Sequence, residues 1–226
     1  MMRDDIVLAS ASPRRIEMLE KKGFHAQVCP ADIDEQLPFD MTAETAVMYL
    51  SFAKAGHVAA RRRGLVIAAD TIVVYDGEII GKPADEAEAF EVLSRLRGKC
   101  HQVITGVCLI DTAGCLIDTA GRGEAAGAGA DGATVVDAAA DVGGAILPAE
   151  AVKLCLYDVT DVYFGDYSDE ELRAYVRTPE PYDKAGGYAI QETFGKYIDH
   201  IEGDLDNVIG FPLYRVLPYL NGQPLG

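Results

Sequence analysis

Two rhythms of apolar and polar positions run along the chain and mark out its elements. Ile6 to Ala9 reads as a short apolar strand. It leads into Ser10-Ala11-Ser12-Pro13, where Ser12 has the chemistry of a helix N-cap and Pro13 that of a first helical residue. The helix that follows carries Ile16 and Leu19 on one face and is expected to stop at Gly23. A second strand and an irregular acidic segment, Ala31 to Glu35, come next. From Thr42 to about Arg63 the apolar residues Ala46, Val47, Leu50, Ala53 and Val58 keep helical spacing. Leu65 to Ala69 is a continuous apolar run, as in strands buried on both faces, and is expected to end at Asp70-Thr71. Ile72 to Tyr75, Asp76-Gly77 and Glu78 to Ile80 form a hairpin signal, because Asp-Gly adopts the positive backbone angles of a tight turn.

Asp85 suits the cap of a helix through Arg97, and His101 to Ile110 reads as a long strand. Lys153 to Phe164 alternates as a strand, and Ser168 with Glu171 forms a capping box for a helix that ends before Thr178-Pro179. Asp204 to Gly210 and a short helix opening at Pro212 close the chain. Strands alternate with helices while hairpins interrupt them, which predicts an α/β fold with a mixed central sheet and flanking helices.

Composition changes this picture in one place. Between Thr112 and about Ala149 the chain turns to Gly and Ala, and Cys-Leu-Ile-Asp-Thr-Ala-Gly occurs twice in tandem, at Cys108 to Gly114 and Cys115 to Gly121. A duplication followed by low complexity predicts an inserted, mobile extension over 112–149 that projects away from a single domain spanning 1–226. The 226 residues are 49% hydrophobic, enough for a sizeable core. No apolar run approaches the roughly 18 residues of a membrane span, and the polar start is unlike a signal peptide, so a cytoplasmic protein is expected. Five cysteines without a CxxC pair or metal-ligand spacing to the four histidines read as reduced, mostly buried small hydrophobes. A net charge of −16 argues against a nucleic-acid polymer as partner, and is compatible with a small anion carried with a metal ion.

Candidate chemistry gathers at strand ends and loops. The first strand–helix turn sets Ser10, Ser12, Arg14 and Arg15 around a helix amino terminus, an anion site in outline that an ordinary capped helix would also explain. Asp70 follows a buried strand, where open α/β sheets place ligand crevices; a turn-forming Asp is the plainer alternative. Asp34-Glu35 could converge with Asp70 on a hard cation such as Mg²⁺, or be a solvated loop. Lys54, Lys82 and Lys184 each sit beside small residues that leave room for phosphate oxygens. Together with Arg14 and an Asp–metal centre they supply what phosphoryl chemistry needs: positive charge on phosphate oxygens and a base for water. Gly127 to Gly132 fits G-x-G-x-x-G but lies in the Gly/Ala tract, and Pro83 stands where a Walker loop needs Ser or Thr. Asp204 to Asn207 departs from the calcium-loop pattern at Val208, and His101 and His200 lack the partner spacing of a relay or zinc site.

These segments, read in order, resemble the Maf family of nucleotide pyrophosphatases. The matching blocks are Leu8 to Arg15, Ile33-Asp34-Glu35, Ala53-Lys54-Ala55, Ala69 to Val73, Gly81-Lys82-Pro83, Thr105-Gly106-Val107, Asp183 to Gln191 and Asn207 to Leu213. The resemblance implies a cleft between two lobes, a fold shared distantly with inosine triphosphate pyrophosphatases, and often a homodimer. It implies cleavage between the α and β phosphates of a nucleoside triphosphate with a divalent cation, Mg²⁺ or Mn²⁺. It maps the catalytic base onto Asp70, the acidic loop onto Glu35, and the lysines onto Lys54, Lys82 and Lys184. Three base-selecting positions map onto Arg14, Thr71 and Gln191, a combination that resembles the branch acting on dTTP and UTP. The alternatives are a pyrophosphatase for inosine-type or 7-methyl-GTP purine nucleotides, and a nucleotide-binding regulator of cell division without catalysis.

Overall fold

The computed structural model describes residues 2–113, 147 and 151–225. In chain order its elements are β1 (Ile6–Leu8), α1 (Pro13–Lys21), β2 (Gln27–Val28), α2 (Ala43–Ala59), β3 (Leu65–Tyr75), β4 (Glu78–Ile80), α3 (Glu86–Leu96) and β5 (Cys100–Asp111). They continue with β6 (Val152–Phe164), α4 (Asp169–Val176), three 3-10 turns, β7 (Ile198–Glu202), α5 (Leu205–Ile209) and α6 (Leu213–Leu220). One seven-stranded sheet runs β2-β1-β3-β5-β6-β7, with β4 also paired to β3. β1 joins β2 and β3 in parallel and the other pairs are antiparallel, so the sheet is mixed, as the alternation of elements predicts.

The caps explain where several helices begin. Asp85 Oδ1 accepts from the N–H groups of Ala87 and Glu88 at 2.9 Å, and Ser168 with Glu171 closes a capping box. Ser12 holds the N-cap position of α1, but its hydroxyl makes no capping bond. Instead its N–H donates to Ser10 Oγ at 3.2 Å, which turns the first serine toward the helix start.

The long strand β3 corrects one expectation from the sequence. The chain does not break at Asp70-Thr71: β3 continues to Tyr75, and β5 pairs with it without interruption from Leu65↔Asp111 to Val74↔Gln102. Thr71, Ile72, Val73 and Val74 are β-branched and keep the extended backbone. What changes at Asp70 is the other edge. β1 pairs only with Leu65 to Ile67, and β4 begins its pairing at Val73. Among the described residues no strand covers the β3 edge between these two partners.

The core is divided at the same level. One cluster, with Leu19, Ile67, Ala69, Val107, Phe211 and Val216, lies under α1 and α6. A second, with Val7, Ala55, Val58, Val66, Ala68 and Cys108, lies under α2. A third, with Val73, Leu93, Val103, Phe164, Leu172 and Phe194, packs under α3 and α4. The first two clusters take alternate residues of the same stretch of β3, on opposite faces of the sheet, and form one lobe; the third forms the other, and Asp70, Thr71 and Thr105 occupy the strip between them. Such polar side chains mid-strand need partners, and those partners build the site.

Two further differences have plain causes. β7 has no counterpart in the sequence reading because it is an edge strand whose residues alternate weakly, with Asp199, His200 and Glu202 exposed. Cys29, Cys100, Cys108 and Cys155 are free thiols, but the expected burial holds only for Cys108: Cys29 and Cys155 are half-buried, and Cys100, at the first position of β5, is exposed. The Gly/Ala insertion falls outside the described residues except for Thr112, Ala113 and Leu147. Thr112 itself belongs to the fold: its hydroxyl donates to the Arg62 carbonyl at 3.0 Å and accepts from the Gly64 N–H at 3.1 Å.

Candidate active site

The gap beside β3 opens into a cavity of about 450 Å³ that reaches both lobes. Of the residues singled out in the sequence, Ser12, Arg14, Glu35, Lys54, Asp70, Thr71, Lys82, Lys184 and Gln191 all line it. Ser10 stands behind the wall and acts through the bonds it makes there.

At the centre, Lys54 Nζ lies 2.5 Å from Asp70 Oδ1 and 2.9 Å from Glu35 Oε1. The fold explains how a helical lysine reaches a strand aspartate. Asp70 pairs with Gly106 across the β3–β5 ladder. A Cβ on Gly106 would come within 2.5 Å of the Val47 backbone, so only glycine lets α2 approach the sheet this closely. Val47 and Lys54 are seven residues apart, two turns along one helix face, so the same approach delivers Lys54 to Asp70. Asp70 is only 8% exposed, and a carboxylate at such depth requires a paired partner. Burial works to raise the Glu35 carboxyl, but its hydrogen bond to Lys54 and the charges of Lys54, Lys82 and Arg15 outweigh it and hold the group below the usual carboxylate value.

Strand alternation turns Thr71 to the opposite face from Asp70. There Arg15, which the sequence sets beside Arg14 at the start of α1, is the organiser. Its Nε donates to the Gly210 carbonyl at 2.9 Å, Nη1 to Ser10 Oγ at 3.1 Å and Nη2 to Thr71 Oγ1 at 3.3 Å. Desolvation pulls this guanidinium down to about 10, against the attraction of Asp70 and Glu35. Thr105 donates its hydroxyl proton to the Asn207 carbonyl at 3.0 Å, so in the 3.0 Å contact between the two threonines Thr71 is the donor. With its proton given to Thr105 and one lone pair taken by Arg15, Thr71 has one lone pair left for a ligand.

The third wall comes from the loop after α4. Lys184 is buried, donating to the Glu180 carbonyl at 2.7 Å and Asp183 Oδ1 at 2.6 Å and pairing with Glu192 Oε2 at 3.0 Å. The other oxygen of Glu192 accepts from Arg14 Nη1 at 3.2 Å. Gln191 and Lys82 are exposed at the mouth. Sequence reasoning missed Glu192, whose spacing carries no signal, and Tyr188, which reaches the cavity from the core. His101 proves to be a core residue: its Nε2 lies 2.6 Å from the Tyr188 hydroxyl, and its ring packs on Phe164. No group of three or more His, Cys, Asp or Glu residues able to hold a metal exists among the described residues.

Fold and site together define a class: an α/β protein with a mixed sheet, whose cleft sets a buried carboxylate–lysine pair among further cations. The family described as Maf-like protein matches residues 5–223, and the chain belongs to that family. Among curated relatives, a dTTP/UTP pyrophosphatase of Geotalea uraniireducens is 39% identical over 96% of this chain and 94% of its own. Another with the same description, from Caldicellulosiruptor bescii, is 38% identical over 93% and 90%. A solved nucleoside-triphosphatase, a dITP/XTP pyrophosphatase of Mycobacterium abscessus, covers 70% of this chain and 73% of its own at 11% identity and a TM-score of 0.34, too slight a likeness to carry weight. No helix among the described residues is long and apolar enough to cross a membrane.

Proposed function

We propose that the chain hydrolyses dTTP and UTP to the nucleoside monophosphate and pyrophosphate, with a divalent cation, Mg²⁺ or Mn²⁺, in the cleft. The observation that carries this is the Lys54 ammonium set between Asp70 and Glu35 at the gap beside β3. In this mechanism Asp70 accepts a proton from the water that attacks the α-phosphorus. A phosphorus–oxygen bond to that water forms while the bond to the departing pyrophosphate breaks, and Lys54 orients the Asp70 carboxylate and neutralises charge on the phosphates. Lys82 at the mouth and the Ser10–Ser12 turn at the start of α1 hold the rest of the phosphate chain. Asp70 and Glu35 suit a cation of this kind, because Mg²⁺ is commonly held by one or two carboxylates and takes its other oxygens from substrate phosphates and water. When bound it would polarise phosphate oxygens and neutralise the leaving group.

Arg14, Thr71 and Gln191 are proposed to read the base, with Lys184 beside them. The lone pair left on Thr71 suits the N3–H of uracil or thymine and not the N3 acceptor of cytosine. The descriptions of the curated relatives support the same choice. The chain is further proposed to act as one domain in the cytoplasm, as a homodimer and without a nucleic-acid polymer.

The deciding experiment is pyrophosphate release with Mg²⁺ or Mn²⁺ across dTTP, UTP, CTP, ITP, GTP and 7-methyl-GTP, repeated with a chelator. Turnover of dTTP and UTP that the chelator abolishes is expected. Activity confined to purine nucleotides would overturn the base assignment. Tight nucleotide binding without turnover would overturn the enzyme.

A further inference from the structure

Lys184, Glu192 and Arg14 form a chain of charges whose order is not the one a phosphate site requires. Lys184 is surrounded by Glu180 O, Asp183 Oδ1 and Glu192 Oε2, all within 3.0 Å. An ammonium has three N–H donors, so these three oxygens match its capacity and leave it little to offer a phosphate. Arg14, by contrast, is half-buried and meets Glu192 through one nitrogen, Nη1. Its fork of five N–H donors therefore keeps others for a ligand.

Glu192 itself is held from behind. Thr193 Oγ1 donates to Glu180 Oε1 at 2.6 Å, and Glu180 also accepts Lys184 through its carbonyl, so both ends of the loop are tied to one residue. A Cβ on Gly195 would meet the Ile190 carbonyl oxygen at 2.1 Å, which shows how tightly the chain folds back beneath Gln191 and Glu192. Gln191 and Glu192 are thus presented on a braced turn, with Arg14 reaching across from α1 to meet it.

We infer that Glu192 is a positioning residue for base selection: it fixes the Arg14 guanidinium beside Gln191, and Lys184 acts through Glu192 rather than on the phosphates. The inference rests on the pyrophosphatase reading for its turnover assays, and on nucleotide binding alone for the rest. A Glu192 that merely braces the loop would affect all nucleotides equally. A Glu192 that aims Arg14 affects those whose base Arg14 helps to read.

The test compares the parent with Glu192→Gln, Lys184→Gln, Arg14→Gln and the Glu192→Gln/Arg14→Gln pair. KM and kcat are measured for UTP and GTP, and Kd by calorimetry for the non-hydrolysable α,β-methylene analogues of UTP and of GTP. Glu192→Gln is expected to raise the UTP KM and the UTP analogue's Kd about fivefold to tenfold, the size of losing one charge-assisted contact. The fall in kcat should be smaller, and the UTP-to-GTP preference should shrink. Lys184→Gln should show the same signature, and the double variant should be little worse than Arg14→Gln alone, because coupled residues are not additive. An unchanged UTP-to-GTP preference in Glu192→Gln, additive losses, or a Lys184→Gln that loses kcat at constant KM would overturn the inference. Glu192→Asp, too short to span both cations, gives the same reading should the Gln variant fold poorly. If no nucleotide is turned over at all, the pyrophosphatase reading fails, while the Kd series still decides the role of Glu192.

Discussion

Gly106 stands directly across the β3–β5 ladder from Asp70, and its missing side chain is what lets α2 bring Lys54 to that carboxylate. An alanine there would press its methyl to within 2.5 Å of the Val47 carbonyl group and 2.8 Å of the Met48 nitrogen. Neither is the yielding end of a flexible side chain, so the helix must shift. Gly106→Ala is therefore expected to cost about 1–3 kcal/mol, the range for overpacking, and to move Lys54 off Asp70. Urea unfolding should show the loss of stability, and turnover at saturating UTP should drop with it. A variant as stable and as active as the parent would mean that α2 does not need this close approach.

How far the sequence discloses this arrangement depends on whether a feature is local. The helices capped by Asp85 and Ser168, the Asp76-Gly77 hairpin and the mixed α/β class follow from spacing and turn chemistry, and the structure has them. The cleft's acidic and basic residues are likewise visible, because Asp70, Glu35 and Lys54 each sit in conspicuous short segments. Partnership is what the sequence hides. Asp70 looks like the end of a strand because the apolar run stops there, whereas β3 passes through it and only its edge partner changes from β1 to β4. Arg15 looks like a twin of Arg14 on a helix face, yet the carbonyl that fixes it belongs to Gly210, at the far end of the chain. Glu192 carries no signal at all until Arg14 and Lys184 meet on it.

Asp70→Asn removes the proposed base and keeps the side chain's shape. Turnover is expected to fall by about 10²–10⁴, the usual contribution of a positioned proton acceptor. Binding of the α,β-methylene analogue should persist within a few fold, since the amide still fills the site. Calorimetry beside a pyrophosphate assay separates the two. Retention of a tenth or more of the parental rate would assign the base elsewhere.

Arg15→Lys tests the fork that ties α1 to Thr71. A lysine is a point charge on a flexible stem and cannot reach Gly210 O, Ser10 Oγ and Thr71 Oγ1 together. Losing a buried hydrogen bond costs about 1 kcal/mol, and here more than one is lost. A lower Tm is expected, with a KM for UTP raised about tenfold because Thr71 and Ser10 lose their anchor. The opposite result, a stable variant with parental KM, would reduce Arg15 to a bystander.

His101 gives the fold a pH dependence of its own. The ring is 2% exposed, its Nδ1 has no partner among the described residues, and burial pulls its pKa down to about 4 from an ordinary 6.5. The unfolded chain takes up a proton below about 6.5, while the folded chain resists until about 4. Through that window the unfolded state binds more protons, so stability falls as pH falls. The contribution is present in full above 6.5, and about 2 kcal/mol of it should be gone by pH 5. His101→Phe keeps the apolar packing against Phe164 and removes the titrating group, leaving the Tyr188 hydroxyl without its 2.6 Å partner. It should be less stable than the parent at pH 7, with a shallower slope toward pH 5. Urea titrations of both proteins at the two pH values measure this, and parallel slopes would show that burial of His101 is not what the fold loses in acid.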